Sequence, residues 1–103
     1  MSDRLAQLTK LHQADPKDPF CTYGLALEHL KAGAHEEALQ WLDATIALDA
    51  NYCYAYFQKG KVLAELGQVE AAHAVLHAGL NAAKSCGDAK AHDEIGALLE
   101  SLG

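Results

Sequence analysis

Two histidines four residues apart are the side chains whose spacing most directly suggests chemistry. His73 and His77 would share one face of a helix, a spacing that can chelate zinc. No glutamate follows His73 as it does in the HExxH motif, and no third ligand accompanies the pair. We therefore expect a solvated or partly packed helix face here, with no bound metal and no cofactor.

Three cysteines are the other candidate ligands or nucleophiles. Cys21, Cys53 and Cys86 stand 32 and 33 residues apart, and none belongs to a CxxC or another close metal spacing. An odd number of thiols cannot all pair within one chain, which favours a reducing cytoplasm. At similar heights on successive structural units they would lie about 10 Å apart, the spacing of packed helices. That distance is too long for a shared metal ion.

No pattern typical of catalysis is found in the sequence. A Ser-His-Asp order, a glycine-rich phosphate loop and a pair of catalytic carboxylates are all missing. Glu36 and Glu37 are interpreted as first-turn helix acids, which the helix dipole favours. His29 and His92 are interpreted as core histidines with satisfied hydrogen bonds. The chain is predicted not to be an enzyme. Only stoichiometric zinc in the purified protein would support the alternative hypothesis of a metal-dependent hydrolase.

The charge balance argues against nucleic acid as a partner. With 14 acidic and 8 basic side chains the net charge is −6, so no basic surface stands out for binding phosphates. The start, Met1 to Arg4, leads into an amphipathic stretch, and no run of 18 apolar residues occurs. The sequence therefore predicts a cytoplasmic protein that does not bind membranes.

Helices must position whatever side chains carry the function, because Ala and Leu are abundant and β-branched residues are few. Asp18-Pro19 is a typical helix start, Gly33 and Gly67 are typical stops, and Asn51 is predicted to cap a fourth helix. Apolar periodicity and these signals predict helices over 3–14, 19–31, 35–48, 52–66, 68–85 and 88–102.

Identical residues recur 34 positions apart, in phase with the predicted helix ends. They are Leu8, Leu42 and Leu76; Asp15 and Asp49; Gly33 and Gly67; Glu36 and Glu70; Ala38 and Ala72; Ala44 and Ala78. A 34-residue unit of two helices resembles the tetratricopeptide repeat. The second unit matches the family motif at Tyr56, Gly60, Leu63, Gly67, Ala72 and Leu76. The first matches at Leu25, Ala26, Gly33, Ala38 and Leu42, with Thr22 and His29 in place of its two aromatic residues.

The resemblance implies an all-α, right-handed solenoid of antiparallel helix pairs. Residues 1–103 would form one domain, with a lone second-type helix over 1–18, full repeats over 19–52 and 53–86, and a lone first-type capping helix over 87–103. Small residues at Ala26, Gly60 and Gly96 would let neighbouring helices approach closely.

The resemblance also implies that a concave surface, formed by the first helix of each unit, carries the function. The family's groove positions are occupied here by Phe20, Tyr23, Leu27, Leu30, Tyr54, Phe57, Lys61, Ala64, Asp93 and Ala97. Some family members hold a partner's C-terminal carboxylate with Lys and Asn at four of these positions. Tyr23, Phe57, Leu27 and Lys61 stand there instead, which disfavours that type of adaptor.

Two functions remain open on the sequence alone. The first is a protein-protein interaction module that binds a peptide or partner protein in the aromatic groove, as a monomer or at most a weak dimer. The second is self-association through an end face such as that of the last helix, with an incidental groove. Within the first, the aromatic rings either bind a ligand or simply cover neighbouring helices.

Overall fold

The computed structural model describes residues 3–103, which form six α-helices joined by short turns and no β-strand. The helices are α1 Asp3–Ala14, α2 Pro19–Lys31, α3 His35–Leu48, α4 Cys53–Glu65, α5 Val69–Cys86 and α6 Ala89–Ser101. Every predicted boundary agrees to within one residue. Met1 and Ser2, assigned above to the first predicted unit, lie outside the described residues. None of these six helices has the length and apolar character that crossing a membrane requires.

The same backbone turn ends three of the helices. It is built on Gly33, Gly67 and Gly87, whose φ angles of 75°, 82° and 71° lie in the left-handed region. The amide of the next residue donates to a carbonyl five residues back: Ala34 to His29, Gln68 to Leu63 and Asp88 to Ala83, at 2.9, 2.8 and 2.9 Å. This is the Schellman arrangement, which strongly favours glycine at the left-handed position. The predicted helix stops are confirmed.

Aspartate side chains cap the starts of α2 and α6. Oδ1 of Asp18 accepts a hydrogen bond from the amide of Phe20 at 2.9 Å, with Pro19 as the first helical residue. Oδ1 of Asp88 accepts from the amide of Ala91 at 3.0 Å. The predicted cap of α4 by Asn51 is wrong, because the helix begins one residue later and Tyr52 is its N-cap, with no side-chain capping hydrogen bond to the helix.

Removing the Asp18 cap should cost measurable stability. We expect Asp18→Ala to lower the free energy of unfolding by about 0.5–2 kcal/mol, because the Phe20 amide loses its acceptor. Asp18→Asn is the matched control and should lose much less, since asparagine caps helices equally well. Urea unfolding followed by circular dichroism compares the variants. Equal losses of stability in the two variants would contradict a role for the capping hydrogen bond and indicate that the charge of Asp18 matters instead.

The helices group into two compact units that divide between Asp49 and Ala50. In the first unit α2 packs on α3, and α1 packs on α2. Its buried apolar side chains are Leu8, Cys21, Leu25, Ala26, Ala38 and Leu42. Leu8 approaches α2 where Gly24 leaves room, since a Cβ there would lie 2.9 Å from Cδ2 of Leu8. The repeated Leu and Ala positions therefore form this core, as predicted.

A buried pair of threonines explains one departure from the repeat motif. Thr22, in the place of an aromatic residue, is fully buried, and its Oγ1 lies 2.7 Å from Oγ1 of Thr45 on α3. The two hydroxyls also lie 3.0 and 2.8 Å from the carbonyls of Pro19 and Trp41. Both are satisfied without water, which removes the penalty for burying a polar group.

The second unit is an antiparallel pair, α4 and α5, with α6 packed on α5 and, less extensively, on α4. The antiparallel direction follows from three facing pairs: Cys53 with Cys86, Tyr56 with Gly79, and Gly60 with Leu76. Its central cluster comprises Cys53, Leu76, Ala82, Ala83, Ala91 and Ile95. A Cβ on Gly60 would overlap the Leu76 side chain, at 2.5 Å from its Cγ. The close approach predicted at Gly60 is confirmed, whereas a Cβ on Gly96 would meet only an ordinary contact at 3.9 Å.

Candidate functional site

An apolar strip on the first unit, which we call the α2 face, consists of Phe20, Tyr23, Leu27 and Leu30. Their spacing of three, four and three residues confines them to about 80° of the helix circumference. Phe20 is 59% exposed, and the other three side chains are half-buried. The opposite side of α2 carries the buried residues Thr22, Leu25 and Ala26. The α2 face is thus accessible to a partner on a helix that is anchored by its other side.

The equivalent strip on the second unit, the α4 face, consists of Tyr54, Phe57 and Lys61. The Tyr54 and Phe57 rings meet edge to face, with centroids 6.3 Å apart and planes at 72°. Both rings are half-buried and pack against the central cluster of the unit, whereas Lys61 is exposed. These two aromatic side chains therefore contribute to the core and still present surface to solvent.

The remaining candidate, Asp93, is exposed on the first turns of α6. Together with His92, Lys84 and Asp88 it borders an open depression between the end of α5 and the start of α6. The interpretation of His92 as a core histidine is wrong: its side chain is exposed, and α6 is anchored through Ala91 and Ile95 instead.

The distance predicted between successive cysteines is wrong for Cys53 and Cys86. Sγ of Cys53 lies 3.4 Å from Sγ of Cys86, because the first residue of α4 and the last of α5 meet in the antiparallel pair. Cys53 is buried and Cys86 is exposed. Burial, above all, and the contact with Cys86 raise the pKa of Cys53 to about 12. The thiol of Cys53 is therefore protonated at neutral pH.

Within residues 3–103 the histidine pair has no third metal ligand near it. His73 is half-buried and its Nε2 is buried without a hydrogen-bond partner, whereas His77 is exposed. Among residues 3–103 no group of three His, Cys, Asp or Glu side chains is placed to hold a metal ion. The geometry on the described part of the chain thus offers solvated and partly packed histidines and no metal centre.

Solved structures identify the family, although no protein-family model and no curated protein sequence matches the chain. The solution structure of a tetratricopeptide repeat domain protein from Salinibacter ruber is 30% identical. The match covers 85% of this chain and 89% of that protein, with a TM-score of 0.80. This chain belongs to the tetratricopeptide repeat family. The crystal structure of a tetratricopeptide repeat domain protein from the same organism agrees, at 28% identity over 82% of this chain and 94% of that one, with a TM-score of 0.78.

A more distant tetratricopeptide-like structure matches nearly the whole fold. PcrH, solved in complex with the chaperone binding region of PopD, has a TM-score of 0.88. The match is 21% identical and covers 95% of this chain and 74% of PcrH. At that identity the likeness establishes the all-α tetratricopeptide-like fold and no shared ligand.

The thiol pair is the feature of this tetratricopeptide protein that comparison of repeat positions misses. As equivalent positions of successive units, Cys53 and Cys86 would lie far apart. They are in fact the first and last residues of the predicted repeat 53–86. In an antiparallel helix pair the start of the first helix lies beside the end of the second. The sequence therefore indicated that the two thiols lie at the same end of one helix pair, whereas the 3.4 Å distance between their sulfurs is set by the packing of the helices.

Proposed function

We propose that this chain is a non-enzymatic protein-interaction module that binds a partner protein through the α2 face of the first unit and the α4 face of the second. The observation that carries the proposal is the α2 face, where Phe20 is 59% exposed beside three further apolar side chains. Aromatic side chains presented to solvent by an anchored helix are favoured binding hot spots, since they bury a large area with few rotatable bonds lost.

The likeness to PcrH supports this kind of ligand. PcrH was solved with a region of another protein, PopD, bound to it. By analogy the ligand here is an extended or helical polypeptide segment with apolar anchors. Lys61 and Asp93, both exposed, would orient the segment through charge, an effect that added salt weakens.

In this function residues 1–103 act as one interaction domain, a monomer in the cytoplasm that binds no nucleic acid, membrane or cofactor. The net charge of −6 supports the exclusion of nucleic acid. Self-association through an end face is the competing outcome, and the experiment below distinguishes the two.

Site-specific photo-cross-linking in the native cell extract tests the proposal. A photoreactive phenylalanine analogue at Phe20 should cross-link one or a few discrete proteins. The matched control is the same analogue at Leu11, which is 51% exposed on α1 and outside both faces. Equal cross-linking from both positions would place the functional surface elsewhere. Products containing only two copies of this chain, with sedimentation showing a concentration-dependent dimer, would favour self-association.

A further inference from the structure

The two thiols of the second unit are arranged for a bond that neither the family nor the proposed function requires. Their sulfurs lie 3.4 Å apart, and a disulfide needs about 2.05 Å, so closure takes an approach of roughly 1.4 Å. Cys53 is the first residue of α4 and Cys86 the last of α5. Helix ends open more readily than helix centres. We propose that Cys53 and Cys86 are an oxidation site that forms a reversible intramolecular disulfide on reaction with a hydroperoxide.

The two cysteines have different roles in this reaction because their environments differ. Cys86 is exposed and is the sulfur that an oxidant from solution reaches. Cys53 is only 5% exposed, and burial with the neighbouring thiol raises its pKa to about 12. A buried thiol that stays protonated is a poor first target, because a dissolved oxidant hardly reaches it and a thiol reacts more slowly than a thiolate. Cys53 is therefore the resolving thiol, already in contact with the sulfur it must attack.

The chemistry balances with hydrogen peroxide as the oxidant. The thiolate of Cys86 attacks one peroxide oxygen and the O–O bond breaks, which leaves a sulfenic acid on Cys86 and a hydroxide ion. That hydroxide combines with the proton that Cys86 has released. The sulfur of Cys53 then attacks the sulfur of Cys86, the S–O bond breaks, and the departing hydroxide takes the proton of Cys53. Two thiols lose two electrons and two protons, and the peroxide becomes two water molecules.

The disulfide would close a loop that contains all of α4 and α5. The turn around Gly67 joins the two helices at one end, and the new bond would join them at the other. Because a cross-link restricts the unfolded chain more than the folded one, the oxidised protein should be the more stable form. A reducing dithiol would reverse the change by thiol–disulfide exchange.

Cys21 is a built-in control for this proposal. It is as well buried as Cys53, at 4% exposed, but its Sγ lies 3.7 Å from Oδ2 of Asp18 rather than beside another thiol. Burial, followed by the charge of Asp18, raises the pKa of Cys21. Replacing Cys21 with serine removes one thiol and leaves the Cys53–Cys86 pair intact.

The experiment treats the reduced chain of 103 residues with dilute hydrogen peroxide and follows its mass, its free thiols and its melting temperature. We expect a monomer that is lighter by about 2 Da and a cross-linked peptide pair containing Cys53 and Cys86. The thiols titrated after unfolding should fall from the 3 in the sequence to one. The melting temperature should rise by roughly 5–15 °C and return on addition of dithiothreitol.

Two variants complete the test. Cys21→Ser should show the same loss of mass and the same thermal shift as the wild type. Cys86→Ser, at an exposed position where folding is not at risk, should keep Cys53 reduced and show no shift. Disulfide-linked dimers, sulfinic acid on Cys86 with Cys53 untouched, or an equal thermal shift in Cys86→Ser would each overturn the proposal. None of these readouts involves a binding partner, so the result is independent of the proposed function.

Discussion

Replacing Leu76 with alanine will lower the free energy of unfolding by about 2–5 kcal/mol. Leu76 is fully buried in the central cluster of the second unit and fills the space that Gly60 leaves on α4. Truncation removes its transfer free energy and leaves a cavity that the surrounding helices fill only in part. Leu42 is the fully buried equivalent in the first unit, and replacing it with alanine should lower the free energy of unfolding by an amount in the same range. Urea unfolding measures both losses.

A double-mutant cycle makes the Leu76 prediction specific to the contact with Gly60. Gly60→Ala alone should destabilise by about 1–3 kcal/mol, because its methyl group would overlap Leu76. In the double mutant the shorter side chain at 76 makes room for that methyl group. The combined loss should therefore be smaller than the sum of the single losses. Additive losses, or a Leu76→Ala variant as stable as the wild type, would contradict the packing described for α4 and α5.

Replacing Tyr23 and Phe57 together with alanine will weaken binding of the cross-linked partner by roughly 100-fold or more, if each ring contributes as a typical hot spot. Tyr23 belongs to the α2 face and Phe57 to the α4 face, at positions 34 apart in the repeat. Calorimetric titration of the partner, once cross-linking from Phe20 has identified it, measures the loss. Circular dichroism should show a helical protein with a lower melting temperature, because Phe57 also packs on the central cluster.

Two further variants separate binding from folding. Phe20→Ala removes a side chain that is 59% exposed, so it should weaken binding without changing the melting temperature. Leu11→Ala with Leu66→Ala is the matched control, since both leucines are exposed, at 51% and 43%, and lie outside the two faces. A Tyr23→Ala/Phe57→Ala variant that unfolds would mean that the rings serve mainly as core. If it folds and binds fully, the functional surface lies elsewhere, for example near Trp41.

The local features of this chain were predictable from the sequence because they depend on residues close together along it. The Asp18-Pro19 start and the glycine stops at 33 and 67 each involve fewer than two turns of chain, and the helix period involves a few consecutive turns of one helix. Because the same residues recur every 34 positions, the sequence also predicted which residues form the core. Leu8, Leu42 and Leu76 were matched by period alone, and all three are fully buried.

Features that depend on what packs against a residue were decided by the tertiary structure. His92 occupies a core position of the repeat, yet it is exposed, and α6 is anchored through Ala91 and Ile95 instead. Tyr54 and Phe57 share a helix face with Lys61, but only the packed structure shows that their rings also cover the central cluster. The contact between Cys53 and Cys86 arises from two helix ends 33 residues apart, brought together by antiparallel pairing. Sequence period reports the face of a helix on which a residue lies, whereas burial, ring contacts and thiol proximity are set by the neighbouring helices.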